Sequence, residues 1–312
     1  MGVHLLIGDC RQRLSGLAPD SVDSVVTDPP YGLGAPPDPA AVLRSWLETG
    51  DFAASGAGFR GHAWDAFVPS PAIWREVFRV LRPGGHLVAF FGTRTYDFGV
   101  IALRLAGFEI RDQVAWIHGQ GFPKSKSSLK PALEPIVVAR KPPAAPLPGV
   151  DACRIGARWP ANVAHDGSPE VLALMPEGRG AAAPVRGDEP SAPTNGVTLG
   201  TGLGRVASEV IDAPGSAARF FYCAKATPGE RRWVEHPTIK PVAFMRWLVR
   251  LVTPPGGIIL DPFAGTGTTG EAARLEGFGA VLVEREQNYA AAIIERLGMK
   301  RNYPGPSIRR LK

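Results

Sequence analysis

The chain has 312 residues, 45% of them hydrophobic and 21% charged, a composition typical of a globular protein that can bury a large core. It contains no run of 18 apolar residues, no signal-peptide pattern and no zinc or disulfide spacing among Cys10, Cys153 and Cys223, so a cytoplasmic protein with reduced thiols is expected. The net charge of +6 fits a polyanionic partner without requiring one.

Buried strands alternate with helices in the first half of the chain. Strands are predicted at residues 3–8, 21–28, 86–92, 109–118 and 135–141, and a helix at 98–108. A further helix is predicted within residues 71–85, ended by the sequence Pro83-Gly84-Gly85. Residues 33–67 are predicted as a loop. Either the loop closes over a base, or its Trp46 simply belongs to the core.

The same alternation returns near the carboxyl terminus. Helices are predicted at residues 241–257, 268–278 and 287–297, with strands at 258–261 and 279–284. Apolar strands that alternate with helices predict a doubly wound, mostly parallel α/β sheet covered on both faces. Residues 142–219 show little periodicity, and the Gly- and Pro-rich stretch 176–205 predicts a long loop or a disordered segment.

Two acidic residues follow predicted strands where a parallel sheet binds ligands, beyond the carboxyl ends of its strands. Asp28 opens the sequence DPPYG, in which two prolines stiffen the backbone. Asp261 precedes a glycine-rich turn and a helix start, which allow close approach of a ligand and offer N–H groups to an anionic group. Glu284 ends the next strand, where a Rossmann-like unit places the acid that binds ribose hydroxyls. This unit predicts a nucleoside cofactor.

Six segments, in a specific order, resemble those of the S-adenosylmethionine-dependent methyltransferases that modify exocyclic amino groups of DNA bases. They are GDC (8–10), DPPY (28–31), RVLRPGG (79–85), EPIVVARKP (134–142), HPTIKP (236–241) and DPFAGTGTTG (261–270). The catalytic motif precedes the cofactor motif, as in the β group of that family. The resemblance covers most of residues 1–142 and 236–297.

The resemblance implies a Rossmann-like, doubly wound, mostly parallel seven-stranded methyltransferase sheet with an irregular inserted target-recognition region. Residues 1–141 would form the catalytic half, 142–235 the insert with a flexible loop, and 236–312 the cofactor-binding half. A homodimer is also expected from the resemblance to the β group.

The resemblance assigns catalysis to Asp28, Pro29, Pro30 and Tyr31. The Asp28 carboxylate and the Pro29 carbonyl would accept hydrogen bonds from the target amino group, and Tyr31 would stack on a base flipped out of the duplex. No metal ion or covalent intermediate is required. S-adenosylmethionine would be held by Asp9, Thr238, Lys240, Asp261, Phe263, Gly265, Thr266, Gly267, Thr268 and Glu284. Asp9 is equally expected as a turn-forming residue.

Double-stranded DNA is the expected partner, and seven cations are its candidate contacts: Lys124, Lys126, Lys130, Arg140, Lys141, Arg154 and Arg158. The first three lie among Gly, Pro and Ser, which is typical of an exposed loop, and a solvated charge cluster is the alternative. Within the family, Asp before Pro-Pro-Tyr favours N6 of adenine over N4 of cytosine. Methylation of RNA or of a protein amide, and a catalytically silent DNA-binding module, remain as further alternatives.

Overall fold

The computed structural model describes residues 2–54, 56, 58, 61–119, 121, 126, 129–156, 158–178, 215–224 and 240–299. The strands are β1 (Val3–Ile7), β2 (Val22–Thr27), β3 (Leu81–Phe90), β4 (Glu109–Ile117), β5 (Leu133–Arg140), β6 (Val163–His165), β7 (Glu177–Gly178), β8 (Gly215–Ser216), β9 (Tyr222–Cys223), β10 (Ile258–Asp261) and β11 (Gly279–Glu284). The helices are α1 (Cys10–Ser15), α2 (Pro39–Thr49), α3 (Pro71–Val80), α4 (Tyr96–Leu105), α5 (Pro169–Leu174), α6 (Val242–Val252), α7 (Thr268–Leu275) and α8 (Gln287–Leu297).

One large sheet forms the centre of the fold, with the strand order β1-β11-β10-β2-β3-β5-β4-β6-β9. Neighbouring strands in this sheet pair in parallel, except that β5 pairs antiparallel with both β3 and β4. The other eight strands therefore end at the same edge of the sheet, called here the carboxyl edge. β5 begins at that edge and ends at the opposite one.

Two hydrophobic cores lie on the two faces of the sheet. In β2 the side chains alternate, so that Val25 packs against one core and Val26 against the other. Helices α1 to α4 supply one core, including the fully buried Trp74, while α6, α7 and α8 supply the other, including Phe244. The predicted mostly parallel α/β sheet with helices on both faces is confirmed.

Three details differ from the sequence predictions. The described residues give the large sheet nine strands rather than seven, because the short strands β6 and β9 of the predicted insert extend it. Helix α3 ends at Val80, since Leu81 is already extended (φ −73°, ψ 136°) and begins β3 ahead of Pro83.

The third difference is α2, which lies within the predicted loop. Asp38 caps this helix by accepting hydrogen bonds from two backbone amides, and Pro39 occupies its first turn. Trp46 on α2 is only 1% exposed and packs in the core, the second of the two alternatives considered for it. None of the helices in the described part of the chain has the length and apolarity needed to cross a membrane.

Candidate active site

The two acidic strand ends meet at the carboxyl edge. Strands β2 and β10 are parallel neighbours, with Leu260 opposite Val25. The Thr27 hydroxyl donates a hydrogen bond to Asp261 Oδ1 over 2.7 Å, and both side chains are almost fully buried. Asp28 follows Thr27 directly, so this contact fixes the start of the DPPY segment beside the glycine-rich turn.

A cavity of about 530 Å³ opens between these strand ends, within the size range of small-molecule sites. All four residues of the predicted catalytic set and eight of the ten in the predicted cofactor set line it, Gly267 not among them. From the catalytic set these are Asp28, Pro29, Pro30 and Tyr31, and from the cofactor set Asp9, Lys240, Asp261, Phe263, Gly265, Thr266, Thr268 and Glu284. Thr238 lies outside the described residues.

The glycine-rich turn is shaped by a left-handed residue and by one carboxylate. Gly267 precedes α7 with φ 81°, a backbone conformation that favours glycine, and a Cβ there would lie 3.0 Å from Ile293 Cγ1, so Ile293 would have to shift. Glu284 accepts hydrogen bonds from the backbone N–H groups of Gly265 and Glu286, each over 2.7 Å. The end of β11 therefore positions the turn.

Burial dominates the electrostatics of the two acids beside the turn. It raises the pKa of Asp261 to about 6 and that of Glu284 to about 7. Hydrogen-bond donors that favour the charged forms, such as ribose hydroxyls at Glu284, would lower these pKa values again.

Asp9 both caps a helix and lines the cavity. Its carboxylate accepts a hydrogen bond from the backbone N–H of Arg11 over 2.9 Å at the start of α1, so both of its predicted roles fit its position.

Four side chains form a connected group, called here the Asp28 cluster: Asp28, Tyr31, Glu134 and Lys240. The Tyr31 hydroxyl lies 2.7 Å from Asp28 Oδ1 and 2.9 Å from Glu134 Oε2. The Lys240 ammonium lies 2.7 Å from Asp28 Oδ2 and 3.2 Å from Glu134 Oε2. Two carboxylates thus share one hydroxyl and one ammonium at the wall of the cavity.

The pKa values in this cluster follow from burial and from the two carboxylates. Burial raises the pKa of Asp28, and Glu134 adds to the rise while Lys240 opposes it. Burial and the same carboxylates raise the pKa of Tyr31 well above 10, so its hydroxyl stays protonated. Burial lowers the pKa of Lys240, but Asp28 and Glu134 raise it by more, so the ammonium remains charged.

Comparison with protein families shows to which family the chain belongs. A family model described as DNA methylase, of the N6/N4 methyltransferase type, matches residues 22–295. The chain belongs to this family. Its substrate is therefore DNA and its methyl donor S-adenosylmethionine, and the predicted family, enzyme class and cofactor are confirmed.

Individual members of the family are similar over almost the whole chain. DNA adenine methyltransferase YhdJ of Escherichia coli (strain K12) is 24% identical, covering 99% of this chain and 87% of its own length. Type II methyltransferase M.HpaI of Haemophilus parainfluenzae is 22% identical, covering 97% and 76%. Among solved structures, the cytosine-N4-specific PvuII DNA methyltransferase superposes with a TM-score of 0.58 at 16% identity, covering 99% of this chain and 90% of that one.

Two members of the Asp28 cluster have contacts that the sequence of this DNA methyltransferase did not predict. Lys240, predicted at the cofactor, lines the cavity and also binds the Asp28 carboxylate, and its contact with the cofactor stays a prediction. Glu134 was not predicted as a site residue at all. Its signals were a place at the head of the EPIVVARKP segment and directly before a predicted strand, but its position at the carboxyl edge depends on β5 running antiparallel.

A second carboxylate that the sequence did not indicate holds the backbone of the loop that follows β2. Asp65 is 2% exposed, and its two oxygens accept hydrogen bonds from the N–H groups of Tyr31, Gly32 and Leu33 over 2.8 to 3.0 Å. The Thr95 hydroxyl donates to the Tyr31 carbonyl over 2.6 Å. The loop after β2 is therefore anchored on both of its backbone edges.

Two of the predicted DNA contacts, Arg140 and Lys141, form internal ion pairs. Arg140 is 7% exposed and binds the Glu109 carboxylate. The Lys141 ammonium donates to Asp20 and to two backbone carbonyls over 2.7 to 2.8 Å. Both residues lie where β5 ends, at the edge opposite the cavity, and their charges serve internal ion pairs.

The remaining cations differ in their surroundings. Lys126 and Lys130 are exposed between β4 and β5, at the carboxyl edge, whereas Lys124 lies outside the described residues. The Arg154 guanidinium pairs with Asp151 over 2.8 Å and stacks on Trp159, and that of Arg158 lies over the Phe220 ring. Contact of these cations with DNA stays a prediction.

Proposed function

We propose that this methyltransferase acts at specific sites in double-stranded DNA and transfers a methyl group to N6 of an adenine that is flipped out of the duplex. The observation that carries the proposal is the position of Asp28 on the wall of the cavity that Asp261 and Glu284 also line. One cavity thus contains an acceptor for an amino group and the acids expected at a nucleoside cofactor.

The chemistry required of the chain is mainly positioning. An exocyclic amino nitrogen is a poor nucleophile because its lone pair is delocalised into the base. Acceptors at the amino hydrogens, Asp28 and the Pro29 carbonyl, would localise that lone pair toward the cavity. Bound S-adenosylmethionine supplies an electrophilic methyl group, which the glycine-rich turn and Glu284 would hold in line with the nitrogen.

The depth of this site supports base flipping. Asp28 has only 20% of its side chain exposed, which a base stacked within a duplex could not reach. Tyr31 lines the cavity and can offer a ring face to a flipped base, while its hydroxyl is held by the two carboxylates. Stacking of the Tyr31 ring on a base is compatible with the hydrogen bonds of its hydroxyl, since the two interactions use different parts of the side chain.

Adenine is the preferred base for two reasons. Asp rather than Ser stands before Pro-Pro-Tyr, and the adenine-specific E. coli enzyme is similar across 99% of this chain. The alternative is N4 of cytosine, which the structural likeness to a cytosine-N4-specific enzyme supports. Methylation of RNA and a silent DNA-binding protein are more remote alternatives.

Mass spectrometry of nucleosides decides among these proposals. Unmethylated plasmid DNA incubated with the protein and S-adenosylmethionine is expected to yield N6-methyldeoxyadenosine. Exclusive formation of N4-methyldeoxycytidine would reverse the choice of base, and methylation of RNA in preference to DNA would favour that substrate. Modification-sensitive sequencing of the same DNA is expected to place the methyl group in one short recognition sequence.

Two further expectations belong to the whole protein. Residues 142–235 are proposed as the target-recognition region because they lie between the two motif-bearing halves and contain no family motif. A homodimer is proposed from the β-group resemblance. Light scattering coupled to size-exclusion chromatography tests the dimer, and a mass near 33.2 kDa at working concentrations would contradict it.

A further inference from the structure

Glu134 is a carboxylate of the Asp28 cluster to which the proposed methyl transfer gives no role. Its side chain is 22% exposed, compared with 4% for its neighbour Lys240. Oε2 faces the Tyr31 hydroxyl and the Lys240 ammonium, while Oε1 lies 3.9 Å from His118 Nε2. Glu134 therefore contacts the catalytic group on one side and lies toward solvent on the other.

The hydrogen count at Tyr31 suggests how this carboxylate acts. The hydroxyl carries one hydrogen, yet two carboxylate oxygens, one of Asp28 and one of Glu134, lie within 2.9 Å of it. The hydrogen can be donated to only one of them at a time. Donation to Glu134 leaves the hydroxyl oxygen free to accept a hydrogen from Asp28. This is the geometry of a proton relay between two carboxylates.

We propose that Glu134 receives, through the Tyr31 hydroxyl, the proton that the target amino group loses when it is methylated. The inference rests on the proposed function. The nitrogen forms a bond to the methyl carbon while the carbon–sulfur bond breaks, with its electron pair going to sulfur. The methylated nitrogen passes one proton to Asp28, Asp28 passes a proton to the Tyr31 oxygen, and Tyr31 passes its own proton to Glu134.

The charges around the route support this direction of transfer. Asp28 and Glu134 carry two negative charges against the single positive charge of Lys240, so the cluster has net charge −1 and uptake of one proton neutralises it. Lys240 stays protonated between the two carboxylates. Because Asp28 is regenerated as a carboxylate, the next amino group again meets an ionised acceptor.

The route makes the acid limb of the pH–rate profile depend on Glu134. Asp28 is faced by Tyr31 from its own loop, by Lys240 from the segment before α6, by Glu134 from β5 and by Asp261 from β10. Glu134 is faced by His118, which directly follows β4. Removing the negative charge of Glu134 makes Asp28 easier to ionise and a weaker proton acceptor. The acid limb should therefore move to lower pH while the plateau rate falls.

Single-turnover methylation with Glu134→Gln tests the inference. The variant is expected to bind S-adenosylmethionine and DNA with unchanged affinity but to transfer methyl about 100-fold more slowly, a typical effect of lost proton-transfer assistance, with an acid limb at lower pH. Glu48→Gln, an exposed carboxylate on α2, is the matched control and should retain the wild-type profile. A wild-type rate and pH profile for Glu134→Gln would overturn the inference.

Tyr31→Phe tests the same route without changing Glu134. The variant keeps the ring but removes the relaying hydroxyl, so it should slow transfer by a similar factor. The double variant should be no slower than the slower single one, because both changes interrupt one route. A full rate in Tyr31→Phe, or independent multiplication of the two effects, would contradict the relay. If the wild-type protein methylates no DNA, the proposed function fails instead.

Discussion

Glu284 shows how one side chain can organise the glycine-rich turn. Its two oxygens accept from backbone amides on either side, one in the glycine-rich turn and one at the start of α8. Burial raises its pKa from 4.5 to about 7, so the carboxyl is partly protonated near neutrality when no ligand is bound. A ligand that donates hydrogen bonds to this carboxylate must favour its ionised form.

Binding of S-adenosylmethionine should therefore strengthen as the pH rises through 7. Ligand hydroxyls stabilise the deprotonated form, so binding releases a proton, and affinity is expected to increase roughly tenfold between pH 6 and pH 8. Calorimetry at the two pH values measures this change. Glu284→Gln should bind weakly with no such dependence, whereas the exposed Glu295→Gln should behave as wild type. Equal wild-type affinities at both pH values would refute the assignment.

The same carboxylate lowers stability in the ligand-free protein at high pH. A carboxyl whose folded pKa exceeds its unfolded pKa binds more protons when folded. Its contribution to the free energy of unfolding is therefore largest at low pH and declines as the pH rises from about 4.5 to about 7.

Asp65 is expected to matter for catalysis because of the loop backbone it holds. Asp65→Asn leaves one oxygen for three amides, so the free energy of unfolding should fall by about 2 kcal/mol. Methyl transfer should fall more than S-adenosylmethionine affinity, since the loop carries Tyr31 rather than the glycine-rich turn. Denaturant unfolding and single-turnover assays measure the two effects. Asp151→Asn, whose side chain is 84% exposed, should leave both unchanged.

A site residue could be predicted from the sequence where its neighbours along the chain indicate its position. Asp28, Asp261 and Glu284 each end a strand that the apolar pattern predicts, so their meeting at one edge follows from a parallel sheet. Glu134 and Asp65 could not be found in this way. The first depends on the direction of β5, and the second acts across more than thirty residues on backbone groups that carry no sequence pattern.

Among the secondary-structure elements, the pairing of β2 with β10 is the contact that assembles the site. The hydrogen bond from Thr27 to Asp261 joins the last residues of the two strands. A second hydrogen bond, between Ser24 and Thr253 over 2.8 Å, is also buried but lies nearer the amino end of β2. Variants at these two positions of β2 can therefore distinguish an effect on stability from an effect on the site.

Thr27→Val should impair both stability and S-adenosylmethionine binding, whereas Ser24→Ala should impair stability alone. Loss of a hydrogen bond to buried Asp261 should lower the free energy of unfolding by about 2 kcal/mol and weaken S-adenosylmethionine binding, because Asp261 becomes harder to ionise. Ser24→Ala should lower stability by about 1 kcal/mol and leave binding intact. Equal binding losses in the two variants would show that the Thr27 contact has no particular role in the site.

A further set of contacts connects α8 to the glycine-rich turn. The Arg296 guanidinium, with 1% of its side chain exposed, pairs with Glu271 on α7 and donates to the Thr266 carbonyl and the Thr268 hydroxyl. The helical periodicity of α7 and α8 was readable from the sequence. The contact between them was not, because a buried arginine on an amphipathic helix looks like any other charged position.

At the scale of the whole molecule, the direction of one strand divides the basic residues between two edges. β5 carries Arg140 and Lys141 to the edge away from the cavity, where each forms internal ion pairs. Lys126 and Lys130 precede β5 and lie at the carboxyl edge with the cavity. The net charge of +6 therefore did not reveal which cations could meet DNA.

Removing Lys126 and Lys130 together should weaken DNA binding in a salt-dependent manner. If each contacts one phosphate, the slope of log affinity against log salt should decrease by about 1.8, and affinity for all sequences should fall alike. Fluorescence anisotropy over a salt series measures the slope. Arg104→Ala, exposed in the last turn of α4, is the control and should leave it unchanged. An unaltered slope in the double variant would exclude Lys126 and Lys130 as DNA contacts.

Transfer of a labelled methyl group from S-adenosylmethionine to DNA tests most directly whether the cavity beside Asp28 is the site of methylation. The wild-type protein should transfer the label to an exocyclic amino group, whereas Asp28→Ala should transfer none while its S-adenosylmethionine affinity, measured by calorimetry, stays close to wild type. Transfer by Asp28→Ala at the wild-type rate, or no transfer by the wild-type protein to any DNA, would contradict the role assigned to this cavity.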